Sequence, residues 1–147
     1  MKHILKKIII ATVAALITIT IACKKPAGEG GSSTLRGTIH TKNYNSNFST
    51  LLGQYPGADV DVYIIYGDDA SYGDRIRSGP DGVFEFKYLR KGTYKVYVYS
   101  NDSVATVGPP YSMTNPNVNA PAMAVYKSGE ITKKKETVDL GTFNIYD

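Results

Sequence analysis

The chain has 147 residues, a formal net charge of +4 and 42% hydrophobic residues, with 12 tyrosines, no tryptophan and one cysteine. A lone cysteine excludes an internal disulfide framework and metal sites built on several thiolates. Lys2, Lys6 and Lys7 supply three of the positive charges, so the remainder holds 14 basic against 13 acidic residues and no excess suited to a nucleic-acid partner.

Residues 1–7 are basic, residues 8–21 form an apolar run of 14 residues without charge, and Ala22 precedes Cys23. That order of basic, apolar and small residues is a secretory signal. The run is shorter than the roughly 20 residues that span a bilayer as a helix. Thr20-Ile21-Ala22-Cys23 resembles the lipobox of bacterial lipoproteins, with Thr20 where Leu is usual. The resemblance implies that residues 1–22 are removed as a signal peptide and that Cys23 is lipidated. The expected location is the cell envelope, lipid-anchored, with the outer membrane favoured and the domain facing the periplasm or the surface. Stable anchoring takes two lipid signals, which the several acyl chains on a lipoprotein cysteine meet.

Residues 24–33, KKPAGEGGSS, are polar with nothing to pack. Residues 23–34 are therefore expected to be a flexible tether, leaving residues 35–147 as one domain. Within it no stretch shows a 3.6-residue period, and short strand-like runs alternate with turn signals. Strands are predicted at 35–41, 59–66, 74–78, 83–89, 93–100, 122–127 and 136–146. Seven short strands rich in Tyr and β-branched residues are the count of a β-sandwich.

Alternation predicts the buried faces. Val60, Val62 and Ile64 share one face, and Asp59 and Asp61 mark the other as wet. Phe84 and Phe86 oppose Glu85 and Lys87, while Tyr94, Val96 and Val98 oppose Lys95, Tyr97 and Tyr99. In the last strand the apolar set moves from Val138 and Leu140 to Phe143 and Ile145, a change of parity that places a β-bulge at Gly141. Gly79-Pro80-Asp81-Gly82 reads as a turn: Pro fixes φ, Asp bonds its own backbone and Gly takes positive φ. Arg90-Lys91-Gly92 reads as a tight hairpin connection.

These residues carry a family resemblance. Pro56-Gly57-Ala58-Asp59-Val60-Asp61-Val62 resembles the first motif of prealbumin-like sandwiches. The run from Asp81-Gly82-Val83-Phe84-Glu85-Phe86 through Leu89, Gly92 and Tyr94 resembles their core, and residues 138–143 their closing strand. The similarity is to carboxypeptidase regulatory-like and Cna-B-like domains, and it implies an all-β, seven-stranded Greek-key sandwich. Such modules serve as spacers, stalks and regulatory appendages, so the likeness implies little about function. The Cna-B-like resemblance brings an isopeptide bond to mind, with Lys42, Asn144 and Glu85 as its parts; Glu85 falls on the predicted wet face, which argues against it.

Catalytic groups are scarce. After processing, His40 is the one histidine and no free thiol remains, so no nucleophile–base arrangement or metal cluster assembles. The chain is therefore read as non-enzymatic, without cofactor or metal. Asp68, Asp69 and Asp74 crowd a glycine-flanked turn, but their spacing matches no calcium loop, and a solvated turn explains them better. Lys133-Lys134-Lys135 reads as a solvated turn or an edge guard. Tyr63, Tyr97 and Tyr99 lie on the outward face of two strands and are the candidate binding residues, able to hold a glycan or an envelope protein. The alternative is that Leu51 and Leu52, in an insertion at 43–54, together with Tyr55 just after it, cover that face. The connection 101–121, with its prolines, is the next candidate.

Overall fold

The computed structural model describes residues 26–46, 48–101 and 122–147. The signal sequence, Cys23 and nearly all of the 101–121 connection lie outside the described residues. The described chain is all-β: β1 (Glu29–Tyr44), β2 (Leu51–Pro56), β3 (Asp61–Tyr66), β4 (Asp74–Arg77), β5 (Val83–Leu89), β6 (Gly92–Asn101), β7 (Ala122–Ile131) and β8 (Thr137–Tyr146). One sheet is built on β1, and the other has the order β4-β3-β6-β7. Every pairing is antiparallel except β1 with β8.

β1 is 16 residues long and is used along both edges. Its Thr34–Lys42 segment pairs with β8 on one side. On the other side β5 pairs with the first part, up to Thr38, and β2 with the last part, from His40. Its inward positions are Leu35, Gly37, Ile39 and Thr41, all buried. Gly37 has no side chain because Phe84 fills that space: a Cβ there would stand 2.7 Å from the Phe84 ring.

Leu35, Ile39, Phe84, Phe86, Phe143 and Ile145 from one sheet meet Val62, Ile64, Tyr94, Val96 and Val98 from the other to form the core. Phe84 packs edge-on against Phe86 and Phe143, with centroids 6.1 and 5.5 Å away, a favoured arrangement for aromatic quadrupoles. Tyr94 is fully buried. Its hydroxyl donates to the Arg90 carbonyl at 2.7 Å and accepts the Gly28 N–H at 3.0 Å, so no polar group is stranded.

The alternation expected for β3 and β5 is present, and that of β6 holds except at Tyr97, which is buried although it faces outward; Val60 is only half-buried at the edge of the core. Gly141 has φ +69 and the register of β1 against β8 shifts beside it, which is the expected bulge. The turn before β5 has the expected parts: Val83 N–H donates to Asp81 Oδ1 and Gly82 takes φ +77.

Three expectations change. Arg90-Lys91-Gly92, read as a hairpin connection, instead carries the chain from β5 in one sheet to β6 in the other, and the two strands do not pair. There are eight strands rather than seven, because β2 begins in the 43–54 insertion and runs on to Pro56. It pairs with β1 yet exposes Leu51, Leu52 and Tyr55, so it leaves no burial pattern to read. Residues 29–34 were expected in a flexible tether and instead belong to β1. Backbone bonds and the side chains of Glu29, Ser32 and Ser33 hold this polar run. Buried Ser33 donates to the Lys133 carbonyl at 3.0 Å and accepts the Glu136 N–H at 3.2 Å.

Phe84→Ala removes a fully buried ring from the centre and should cost about 3–5 kcal/mol. Glu85→Ala, which loses only an exposed ion pair to Lys87, should cost less than about 1 kcal/mol. Urea denaturation midpoints of the two variants check the ranking; the reverse order would mean the faces of β5 are exchanged.

Candidate functional site: a tyrosine face on the outer sheet

In the β4-β3-β6-β7 sheet, directly opposed residues share a face. Tyr63 on β3 stands opposite Tyr97 on β6, and Tyr97 stands opposite Tyr126 on β7. The Tyr63 and Tyr97 rings are stacked, with centroids 4.9 Å apart and planes 10° from parallel. Tyr126 lies 5.3 Å from Tyr97 on the other side. Tyr99 sets its ring edge-on to both members of the stacked pair, and Tyr72, from the β3–β4 turn, closes on Tyr63 at 5.1 Å. Five tyrosines from three strands and a turn thus form one cluster on the outer face.

The sequence brings three of them to attention, and all three are here. Their exposure differs from expectation, however. Tyr97 was expected to be open to solvent, but neighbouring tyrosines enclose it and leave it 8% exposed. Burial pushes its phenol pKa up, with further upward contributions from Tyr99 and Tyr63. Tyr97 is a support for the cluster, while Tyr72, Tyr99 and Tyr126 are about half exposed and form its accessible surface. Leu51, Leu52 and Tyr55 do not cover this face, because β2 joins the other sheet.

Charges border the cluster. Arg77 donates to Asp59 at 2.9 Å and to Asp61 at 3.3 Å, and Arg75 lies 3.6 Å from Asp61. These pairs are exposed and contribute little to stability, but they fix a polar rim beside the rings. Tyr99 also lines a cleft of about 360 Å³ with Tyr55, Asn101, Tyr146 and Asp147. There the Tyr55 hydroxyl donates to the Asp147 carboxylate at 3.1 Å. Burial, followed by that carboxylate, raises the Tyr55 pKa.

The other residues singled out by the sequence lie apart. His40 is on β1, its Nε2 3.3 Å from Gln54 Oε1. Asp68 and Asp69 are exposed in the β3–β4 turn, and Asp74 accepts the Arg75 N–H at 2.7 Å. Among the described residues, no group of three or more acidic or histidine side chains is arranged to hold a metal ion. Lys42 stands opposite Tyr146, and Asn144 stands opposite His40.

No family model matches the chain. No curated protein matches it either. Among solved structures, it is similar to a proposed carbohydrate binding protein from Pseudomonas aeruginosa, with a TM-score of 0.42 and 10% identity over 78% of this chain and 91% of that one.

The unequal burial of the tyrosines sets an expected order of stability. Tyr97→Ala should lower stability by about 3 kcal/mol, combining lost burial with lost ring contacts. Tyr126→Ala removes a half-exposed ring and should cost about 1 kcal/mol or less. Denaturant unfolding with unchanged slopes checks both; equal losses would mean that Tyr97 is not the support of the cluster.

Proposed function

We propose that this chain is a lipid-anchored, non-enzymatic binding module of a bacterial cell envelope, with the outer membrane as its expected location. Residues 1–22 are removed, Cys23 carries the lipid, and a prealbumin-like sandwich presents the tyrosine face to an envelope protein. The anchor reading is supported by the basic, apolar, Ala22-Cys23 order at the N-terminus. The prealbumin-like reading is supported by the motif that runs from Asp81 to Tyr94, and the non-enzymatic reading by the scarcity of catalytic groups in the sequence.

One observation carries the binding reading: Tyr72, Tyr99 and Tyr126 remain half exposed around a stacked pair that holds them in place. Exposed rings held in one arrangement lose little freedom on binding, and aromatic residues dominate interface energetics. A purely structural outer face has no use for three large rings held open to water, whereas a docking surface does.

A glycan is the second reading, and the cleft beside Tyr99 favours it. Tyr55, Tyr99 and Tyr146 offer apolar ring surface there, while Asn101 and Asp147 offer polar partners for sugar hydroxyls. The two readings separate by mutation. A Tyr72→Ala/Tyr126→Ala double variant that stays folded should weaken capture of an envelope protein by about 30-fold, the equivalent of losing about 2 kcal/mol at a hot spot. Asn101→Ala should leave that capture unchanged but abolish binding on a glycan array if sugar is the ligand. Unaltered binding in both variants would remove this face from consideration.

The anchor is tested separately. Cys23→Ser should release the protein from membranes, and a palmitate analogue fed to cells should label wild type only. A soluble wild type, or equal labelling of the variant, overturns it.

A further inference from the structure

A second surface lies at the pole of the sandwich where β1 begins, outside the cluster built on Tyr63 and Tyr97. The polar run before β1 is held there by backbone contacts. The Gly28 carbonyl accepts the Arg90 N–H at 2.8 Å, and Gly31 lies so close to the Leu89 carbonyl that a Cβ would overlap it. The β7–β8 turn is fastened beside it. Glu136 accepts the Thr132 and Lys133 N–H groups, both at 2.8 Å, and the Lys135 N–H donates to Ser32 Oγ at 3.2 Å. Those bonds to the Glu136 carboxylate hold its pKa below the usual range.

Between these segments is a cleft of about 450 Å³, lined by residues 30–33, Leu89, Arg90, Lys91 and Lys134. Its charged side chains are all cationic. None of the three has an ion-pair partner among the described residues, and the Arg90 Nε is buried without a hydrogen-bond acceptor. Lys133 and Lys135 flank Lys134 on the same fastened turn. Acidic groups also stand at this pole but form no ion pair with the cleft's cations: Glu136 is taken up by the Thr132 and Lys133 N–H groups, Glu29 accepts the Tyr66 hydroxyl, and Asp68 follows Gly67, which lies beside Ala27.

Chain length then identifies the occupant. A Cβ added at Gly92 would come within 2.7 Å of the Ala27 Cβ, so the chain leaves for Cys23 from this pole. Ala27 is four residues from Cys23, and four extended residues reach at most about 14 Å. That distance is comparable with the Debye length of about 8–10 Å at ordinary salt. We propose that the cleft around Arg90, Lys91 and Lys134 docks onto the phosphate headgroups of anionic phospholipids in the membrane that holds Cys23. This inference rests on the lipid-anchor reading. Lysines and arginines close to an anionic bilayer are drawn to it, and here the anchor's reach confines them to that range.

The mature lipidated chain, reconstituted into vesicles of phosphatidylcholine alone or mixed with phosphatidylglycerol, provides the test. A membrane-impermeant amine-acylating reagent followed by mass spectrometry reads each lysine. Labelling of Lys91 and Lys134 should fall about threefold or more in the anionic vesicles and recover in 1 M salt, where screening shortens to about 3 Å. Lys42, at the far end of β1, should label equally in both vesicles. Equal labelling of Lys91 and Lys134 in a chain that floats with both vesicles overturns the docking site alone. Equal protection by dissolved inorganic phosphate in phosphatidylcholine vesicles assigns the cleft to a free anion and also overturns it. A chain that floats with neither vesicle overturns the anchor, and the docking site with it.

Discussion

The architecture depends on one strand having partners along both its edges. β1 takes β8 on one edge and β5 followed by β2 on the other, so three of the seven other strands are registered against a single stretch of backbone. Its inward side chains must then fit all of its neighbours at once. Leu35 and Ile39 fill the centre, and Gly37 yields its volume to Phe84. The bulge at Gly141 follows from the same constraint. The inward set of β8 changes parity there, and the extra residue lets Phe143 and Ile145 stay inside while the ladder with β1 continues.

On the opposite sheet, large apolar groups stand on the outer face. Tyr97 would be costly there alone, but Tyr63 stacks on one side, a tilted Tyr126 packs on the other, and together they take its surface out of water. The exposed cost is thereby moved to the periphery, onto Tyr72, Tyr99 and Tyr126. A buried ring surrounded by half-exposed ones resembles the centre and rim of a protein interface before its partner arrives.

Side-chain alternation made β3, β5 and β6 legible in the sequence, because each buries one face and, Tyr97 apart, wets the other. The parity change at Gly141 and the Pro80-Asp81-Gly82 turn were legible for equally local reasons. β2 was not, since Leu51 and Leu52 are both exposed and the strand is held by backbone pairing and by the hydrogen bonds of Gln54 and Tyr55 rather than by a buried face. The start of β1 was hidden in the same way: a Gly/Ser run carries no apolar period, and Ser33 is buried for its hydroxyl. At the candidate site, Tyr63, Tyr97 and Tyr99 could be placed on an outward face. Adding Tyr126 requires the register of β7 against β6, and adding Tyr72 requires the path of a turn. Neither is written in local spacing, and Tyr97 became a support only once its neighbours across the sheet were known.

The parallel pairing of β1 and β8 has a mechanical consequence. β1 starts at the pole where the described chain begins, and β8 finishes at the opposite pole beside Asp147. Tension between the two ends of the described chain therefore pulls these neighbouring strands along their length in opposite directions. The hydrogen bonds from Thr34 to Lys42 then bear the load together, in shear, rather than parting one after another as in a hairpin pulled open from its ends. A module tethered on one side and loaded on the other would meet that force with the ladder from Thr34 to Lys42.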